Sequence, residues 1–268
     1  MIDEAGQLSL ADSLAAGTSA RNLILLGDPL QLPHVSQAVH PEGASLSVLE
    51  HLLGGHATVP AEHGIFLTET RRMHPAICRF ISDEVYEGRL RSYPDCARQG
   101  VGGAAGIRQI AVSHVGNSSR SPEEARAIRD EIGLLLGRSY RDMDGRERPL
   151  VAGDCMVVTP YNAQVRLLEE LLPAGVRCGT VDRFQGQEAP VVFFSMATSS
   201  GEDAPRDIAF LFSRNRLNVA VSRARCLAYL VCAPALLETH AKTLDQMRLI
   251  STLCALSDVA AAATEQAA

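Results

Sequence analysis

Three nearly unbroken apolar runs, CMVV at 155–158, VVFFSM at 191–196 and LAYLVC at 227–232, most constrain what this chain can fold into. A strand that is apolar on both faces needs cover on both sides, which is the situation of a parallel sheet between layers of helices. Further strands are expected at 22–26, an apolar run ending in Gly-Asp-Pro, and at 107–112 and 176–181. Helical periodicity falls between them, over 75–86, 122–136, 163–172 and 217–224. Strands alternating with helices of this length imply βαβ units and an α/β fold with a mostly parallel sheet. At 268 residues and 46% hydrophobic content, the chain can bury the cores of one large or two modest domains. Residues 92–106 and the charge-dense 139–149 read as loops, and 258–268 as a frayed tail or short helix.

The net charge of −6 excludes a protein coated in basic surface, so any nucleic-acid contact must be a local channel. All but one of the 25 basic residues are arginine, a bias that a GC-rich genome explains. Only arginines inside motifs therefore carry an argument. Seven cysteines are scattered without C-x-x-C pairs or Cys/His ligand spacing, a pattern that fits reduced thiols in a cytoplasmic protein. The sequence shows no basic-then-apolar leader and no apolar run of transmembrane length, so no membrane partner is expected.

Five short segments carry the chemistry: MIDEAGQ at 1–7, LLGDPLQLP at 25–33, ETRRMHP at 69–75, TVDRFQGQE at 180–188 and RLNVAVSRAR at 216–225. Phosphoryl transfer needs one acid on Mg²⁺ and another group to orient the attacking water, jobs that suit Asp3 and Glu4. Gln31 follows a strand and a Gly-Asp-Pro turn, where a neutral amide can touch a γ-phosphate oxygen. Arg72 and Arg223 have the fixed donors of arginine fingers, which clamp charge on a transferred phosphoryl group. Glu188, after the flexible Gly186, can accept from ribose hydroxyls. Thr159, Tyr161 and Asn162 end a strand and open a helix, where amides and hydroxyls hold backbone phosphates. His74, beside Pro75 at a helix start, reads as a structural hydrogen-bonding residue.

In this order the five segments resemble motifs II to VI of superfamily 1 helicases. The likeness is strongest to the branch with the nonsense-mediated-decay helicase and the flap-trimming helicase–nuclease. Its patterns D-E-A-x-Q, G-D-x-x-Q-L-P-P, Q-Y-R-M-H-P, D-x-F-Q-G-x-E and N-V-A-x-T/S-R-A-R match from about Met1 to Cys232. The resemblance implies RecA-like domains of the P-loop NTPase fold, with ATP and Mg²⁺ in the cleft between two of them. Single-stranded DNA or RNA would cross their tops. It further implies that Asp3 acts on the metal, Glu4 on water, and Gln31 couples the γ-phosphate to the strand. Arg72 and Arg223 would act as fingers, while Gln7, Arg71, Gln187 and Glu188 would lie at the nucleotide. Arg71 replaces the aromatic that stacks on adenine, and His34 replaces the second proline of motif III. Thr159, Tyr161, Asn162 and Thr180 fall where the family touches the strand.

A nucleotide-hydrolysis site also needs G-x-x-x-x-G-K-[ST], whose amides and lysine hold the phosphates. The single lysine, Lys242, has Ala241 and Leu236 at the glycine positions. Only Met1 and Ile2 precede Asp3, so an open frame continuing upstream is expected. Residues 1–67 would then be the end of a first RecA-like domain, 68–257 a complete second one, and 258–268 a tail. Alone, the chain is expected to be an inactive fragment whose partner is the missing N-terminal half or a fused nuclease. The alternative is a non-catalytic module, derived from a helicase, that binds nucleic acid or a partner protein.

Overall fold

The computed structural model describes residues 1–32 and 44–265. Pro33 and His34 of the third motif lie outside them. The centre is a five-stranded, wholly parallel sheet in the order β4-β10-β9-β7-β8. Its strands are β4 (Gly106–Ala111), β7 (Cys155–Thr159), β8 (Arg177–Thr180), β9 (Ala189–Ser195) and β10 (Ala224–Cys232). Each expected strand from residue 107 onward is present within a few residues of its expected ends.

The apolar runs are explained by what covers them. Alternate residues of one strand enter two separate cores. Met156, Val192, Phe194 and Leu230 pack on one face with Ile77 of helix α3 (Pro75–Val85), Leu217 of α7 (Arg214–Ser222) and Leu253 of α9 (Leu244–Glu265). Val157, Val191, Phe193 and Val231 pack on the other with Ile128 of α4 (Pro122–Leu135) and Leu168 of α5 (Asn162–Leu171). Successive side chains of a strand point to opposite faces, so helices on both sides favour apolar residues at both sets of positions.

Four expectations are corrected. The apolar run at 22–26 is not a buried strand: it makes a single parallel bridge, Leu25 with Ile2, and leaves Leu23, Ile24 and Leu26 exposed. One bridged pair with no layer above or below cannot sustain a strand. The charge-dense stretch at 139–149 is a hairpin, β5 (Ser139–Arg141) against β6 (Glu147–Pro149), with β3 (Gly100–Val101) on its other edge. Its charges face each other across the strands, as Arg141 and Glu147 do at 2.7 Å, so they stabilise the pairing. The helix expected over 217–224 starts earlier, at Arg214, and ends at Ser222, which puts Arg225 in β10. Finally, α9 runs unbroken across residue 258, where a frayed tail or a short separate helix was expected, and lies along the edge strand β4.

The remaining elements are small. Helices α1 (Leu10–Gly17) and α2 (Val48–Leu53) carry N-caps Ser9 and Ser47, the latter in a reciprocal capping box with Glu50. β1 (Glu69–Thr70) and β2 (Arg91–Ser92) form a short parallel pair beside α3. No helix among the described residues is long and apolar enough to cross a membrane.

Candidate functional site

The second and third motifs meet backbone to backbone. The Ala5 amide donates to the Leu26 carbonyl at 2.8 Å. A Cβ at Gly6 would lie 2.6 Å from the Asp28 carbonyl oxygen, so only glycine fits there. Asp28 then organises its loop by accepting from the Leu30 amide at 2.9 Å and the Gln31 side-chain amide at 3.0 Å. From α3, the Tyr86 hydroxyl donates to the same Asp28 carboxylate and accepts from Asn218 of α7 at 3.0 Å. Burial and the Asp28 charge push the Tyr86 hydroxyl far up, so it stays a donor.

This network delivers Gln31 to Arg223. The Gln31 side-chain oxygen accepts from the Arg223 guanidinium at 2.9 Å. Arg223 sits at the C-terminal cap of α7 and is only 2% exposed. Its other bonds go to the carbonyls of Val219, at 3.1 Å, and Gln187, at 3.4 Å. All three acceptors are neutral. Burial first, and then the neighbouring Arg72 charge, push its pKa down to about 10, so it remains a cation at neutral pH.

Arg72, unlike Arg223, has a carboxylate partner. Its Nε donates to Glu188 at 2.6 Å and its Nη1 to the Ser222 carbonyl at 3.2 Å. The second Glu188 oxygen accepts from Arg225 Nε at 2.9 Å. Partial burial raises the Glu188 pKa, but the bonds from Arg225 and Arg72 outweigh it and hold the carboxyl below its ordinary range. Both Glu188 oxygens are thus engaged by arginines, where the sequence reading gave this residue to a ribose. Arg225 is the member of this cluster that sequence reasoning missed. The signal was available: two residues past Arg223, at the first positions of an apolar strand.

Glu4 completes one side. It is exposed, adopts the left-handed backbone at φ 53°, and accepts from Gln185 at 3.1 Å. The Gln7 amide donates to the same Gln185 side chain. Asp3 is also exposed and accepts from the Glu4 amide at 3.0 Å. Among the described residues no group of three or more His, Cys, Asp or Glu side chains is gathered for a metal. Gln187 is exposed and exchanges bonds with Arg177 and Arg183. The Arg71 guanidinium stacks 4.2 Å above the Tyr93 ring. His74 caps α3, its Nδ1 accepting from the Ala76 amide at 3.2 Å, which is the structural role expected for it.

The remaining site residues lie at the C-terminal edge of the sheet, where open α/β sheets bind ligands. Tyr161, Asn162, Thr180, Ser119, Arg206 and Arg216 line an open cleft of about 400 Å³. Arg206 and Arg216 stack on the Phe210 ring at 4.7 and 4.3 Å. Neither Arg206 nor Phe210 was singled out from sequence, because they fall in no motif. Thr159 is a correction: it is fully buried, with its hydroxyl unpartnered, and does not reach the cleft. It is the last residue of β7, and strand alternation puts its side chain on the face that α4 and α5 cover. Tyr161 is 6% exposed, its ring 6.1 Å from that of Phe210.

A family model described as an AAA domain (AAA_12) matches residues 44–235. The chain belongs to this family. Among curated relatives it is 28% identical to the DNA-binding protein SMUBP-2 of Mesocricetus auratus, over 90% of this chain and 25% of that protein. It is 29% identical to the DNA polymerase alpha-associated DNA helicase A of Schizosaccharomyces pombe, over 84% of this chain and 35% of that protein. The chain thus spans between a quarter and about a third of these relatives. A solved arterivirus nonstructural protein 10 helicase with DNA aligns at a TM-score of 0.43 and 17% identity, covering 93% of this chain and 41% of that one. The superfamily 1 resemblance of the five motifs agrees with the family, and the α/β fold with its parallel sheet is the one expected.

Proposed function

We propose that this chain is the γ-phosphate-sensing and strand-gripping part of an ATP-dependent helicase or translocase. One observation carries the reading: Arg223 is a buried cation whose hydrogen bonds all end on neutral oxygens, one of them the motif III amide of Gln31. A buried charge hydrogen-bonded only to neutral oxygens, with the Glu4 and Asp28 carboxylates acting on it from outside those bonds, is costly. A terminal phosphate placed beside Arg223 and Arg72 would relieve that cost.

Arg72 and Arg223 act as fingers in this reading, with Glu188 and Arg225 aiming Arg72. Gln31 links Arg223 to the Asp28 loop, so loss of the phosphate is felt at the Tyr86–Asp28 contact. Glu4 orients water, held in place by Gln185, and Gln7, Arg71 and Gln187 border the nucleotide. Asp3, a single exposed carboxylate, fits Mg²⁺, which takes one or two carboxylates together with phosphate and water. When bound, the metal and ATP supply the charge-neutralised phosphoryl group on which these residues work. The phosphate cradle would come from a polypeptide segment or partner carrying the lysine loop that this sequence lacks. Residues 1–67 and 68–257 would belong to two RecA-like domains, working in the cytoplasm.

The cleft of Asn162, Thr180, Arg206 and Arg216 would hold single-stranded DNA or RNA. Helix α5 opens there without a side-chain cap, leaving its first amides available to phosphate.

The test uses an assembly in which a phosphate loop is supplied. Arg223→Ala should cut strand-stimulated ATP hydrolysis by about 10³-fold. An unchanged rate would sink the finger assignment. Single-strand binding that persists in an assembly with no hydrolysis at all would favour the non-catalytic module instead.

A further inference from the structure

A second buried polar cluster sits at the C-terminal edge of the sheet, apart from the Arg223 network. Helix α4, capped by Ser121, places Glu124 in the interior with no exposed surface. One Glu124 oxygen accepts from the Ser195 hydroxyl at 2.6 Å and from the Ala197 amide at 2.9 Å. The other lies 3.1 Å from Nε2 of His114. The second ring nitrogen of His114 lies 2.7 Å from the Ser199 hydroxyl, which also accepts from the Asn117 amide at 2.9 Å. The Ser–His–Glu sequence of contacts is one that nucleophilic hydrolases use. Here Ser199 is only 2% exposed and its oxygen is bonded from two sides, so no substrate reaches it.

What the cluster does touch is a pair of loops, residues 112–121 after β4 and 196–200 after β9. Ala197 has φ 62°, a left-handed backbone that a non-glycine residue keeps only when its surroundings enforce it. The bond from its amide to Glu124 is such an enforcement. The next residue, Thr198, donates to the Ser118 carbonyl at 2.6 Å and lies 3.4 Å from the Tyr161 hydroxyl. Ser119 and Tyr161 are walls of the cleft. Gln164 of α5 ties the opposite wall to the same cluster. It accepts from the Ser121 amide at 2.8 Å and donates to the Ser195 hydroxyl at 3.1 Å. A change at Glu124 therefore reaches both loops and the first turn of α5.

We propose that Glu124 and His114 are positioning residues for the strand-end cleft, holding the loops after β4 and β9 in the arrangement that grips a single strand. The inference rests on the nucleic-acid reading of that cleft. Neither residue touches the strand; they act through Ala197, Thr198 and Ser119.

The experiment measures binding of a labelled oligothymidine of about 20 nucleotides to the purified full chain, well below its unfolding temperature. Glu124→Ala and His114→Ala should weaken binding by about tenfold or more with the circular dichroism spectrum unchanged. Faster hydrogen exchange at the Ala197 and Asn117 amides should accompany the loss. Glu124→Gln keeps an acceptor oxygen for Ser195 and Ala197 and should recover most of the affinity. Ser195→Ala removes one bond and should act in the same direction, more weakly; it takes over if Glu124→Ala does not fold. Ile128→Val loosens the same helix one turn further along, away from both loops, and should leave binding unchanged. Wild-type affinity in Glu124→Ala, or in Ser195→Ala where the former is unfolded, overturns the inference and reduces the cluster to a brace. If the wild-type chain itself does not bind the oligonucleotide, the reading of the cleft falls first, and this inference with it.

Discussion

Single residues divide here into those whose type announced their work and those whose neighbours assign it. Arg72, Arg223, Gln31 and Glu188 were recognisable from motif patterns, and the structure sets them in two neighbouring hydrogen-bonded pairs, Arg72 with Glu188 and Arg223 with Gln31. Arg225, which falls beyond the end of α7, shares Glu188 with Arg72 as a strand residue. In an assembly that hydrolyses ATP, Arg225→Ala should therefore slow turnover by about 10²-fold through misplacement of Arg72. A rate equal to wild type would show that Arg72 needs no second arginine to aim its carboxylate. Tyr86 is the other residue that motif reading passed over. Tyr86→Phe leaves Gln31 as the remaining donor to that partly buried Asp28 oxygen and should cost about 1 kcal/mol in chemical denaturation. No measurable loss would mean that water replaces the hydroxyl.

At the scale of elements, the strength of each sequence signal followed the number of layers that cover the element. Strands β7, β9 and β10 have helices on both faces and were legible as apolar runs. The run at 22–26 has the same composition, yet with only Ile2 beside it, it is not a strand. Helix α9 was nearly invisible as an element, because its alanine-rich end has little contrast between faces. Its Ile250, Leu253, Leu256 and Ala260 nevertheless belong to the core over β4. Leu253→Ala should destabilise the fold by about 2–5 kcal/mol, the range for a fully buried leucine. A loss below about 0.5 kcal/mol would show that α9 docks only loosely. The join of the second and third motifs is equally specific. Gly6→Ala must displace the Asp28 backbone, so it should lower stability by about 1–3 kcal/mol and disturb Gln31 with it. Thermal unfolding of that variant alone decides the point.

Across the whole molecule, the net charge is acidic, and the cleft gathers Arg206 and Arg216 by tertiary contacts, the latter paired with Asp182 at 3.1 Å. Stability should respond to acid through Glu188. Its carboxyl is held below its ordinary value by Arg225 and Arg72, so its contribution is present above the unfolded-state value near 4.5 and is lost as the pH falls through the lower folded value. Glu188→Gln should remove that part of the acid sensitivity; an identical acid-unfolding curve would refute it. The sequence by itself determined the α/β class, the parallel sheet and the likeness of the motifs to those of superfamily 1 helicases. Those depend on short-range spacing and on apolar content, which a linear pattern records. Only the tertiary structure decided that Glu188 is shared by two arginines, that Thr159 points inward, and that Phe210 carries two guanidinium groups. The same holds for the His114–Glu124 cluster, whose members lie on β9, helix α4 and the loops after β4 and β9. Those contacts join residues far apart in the chain, and no local pattern encodes which distant side chain will complete a hydrogen bond.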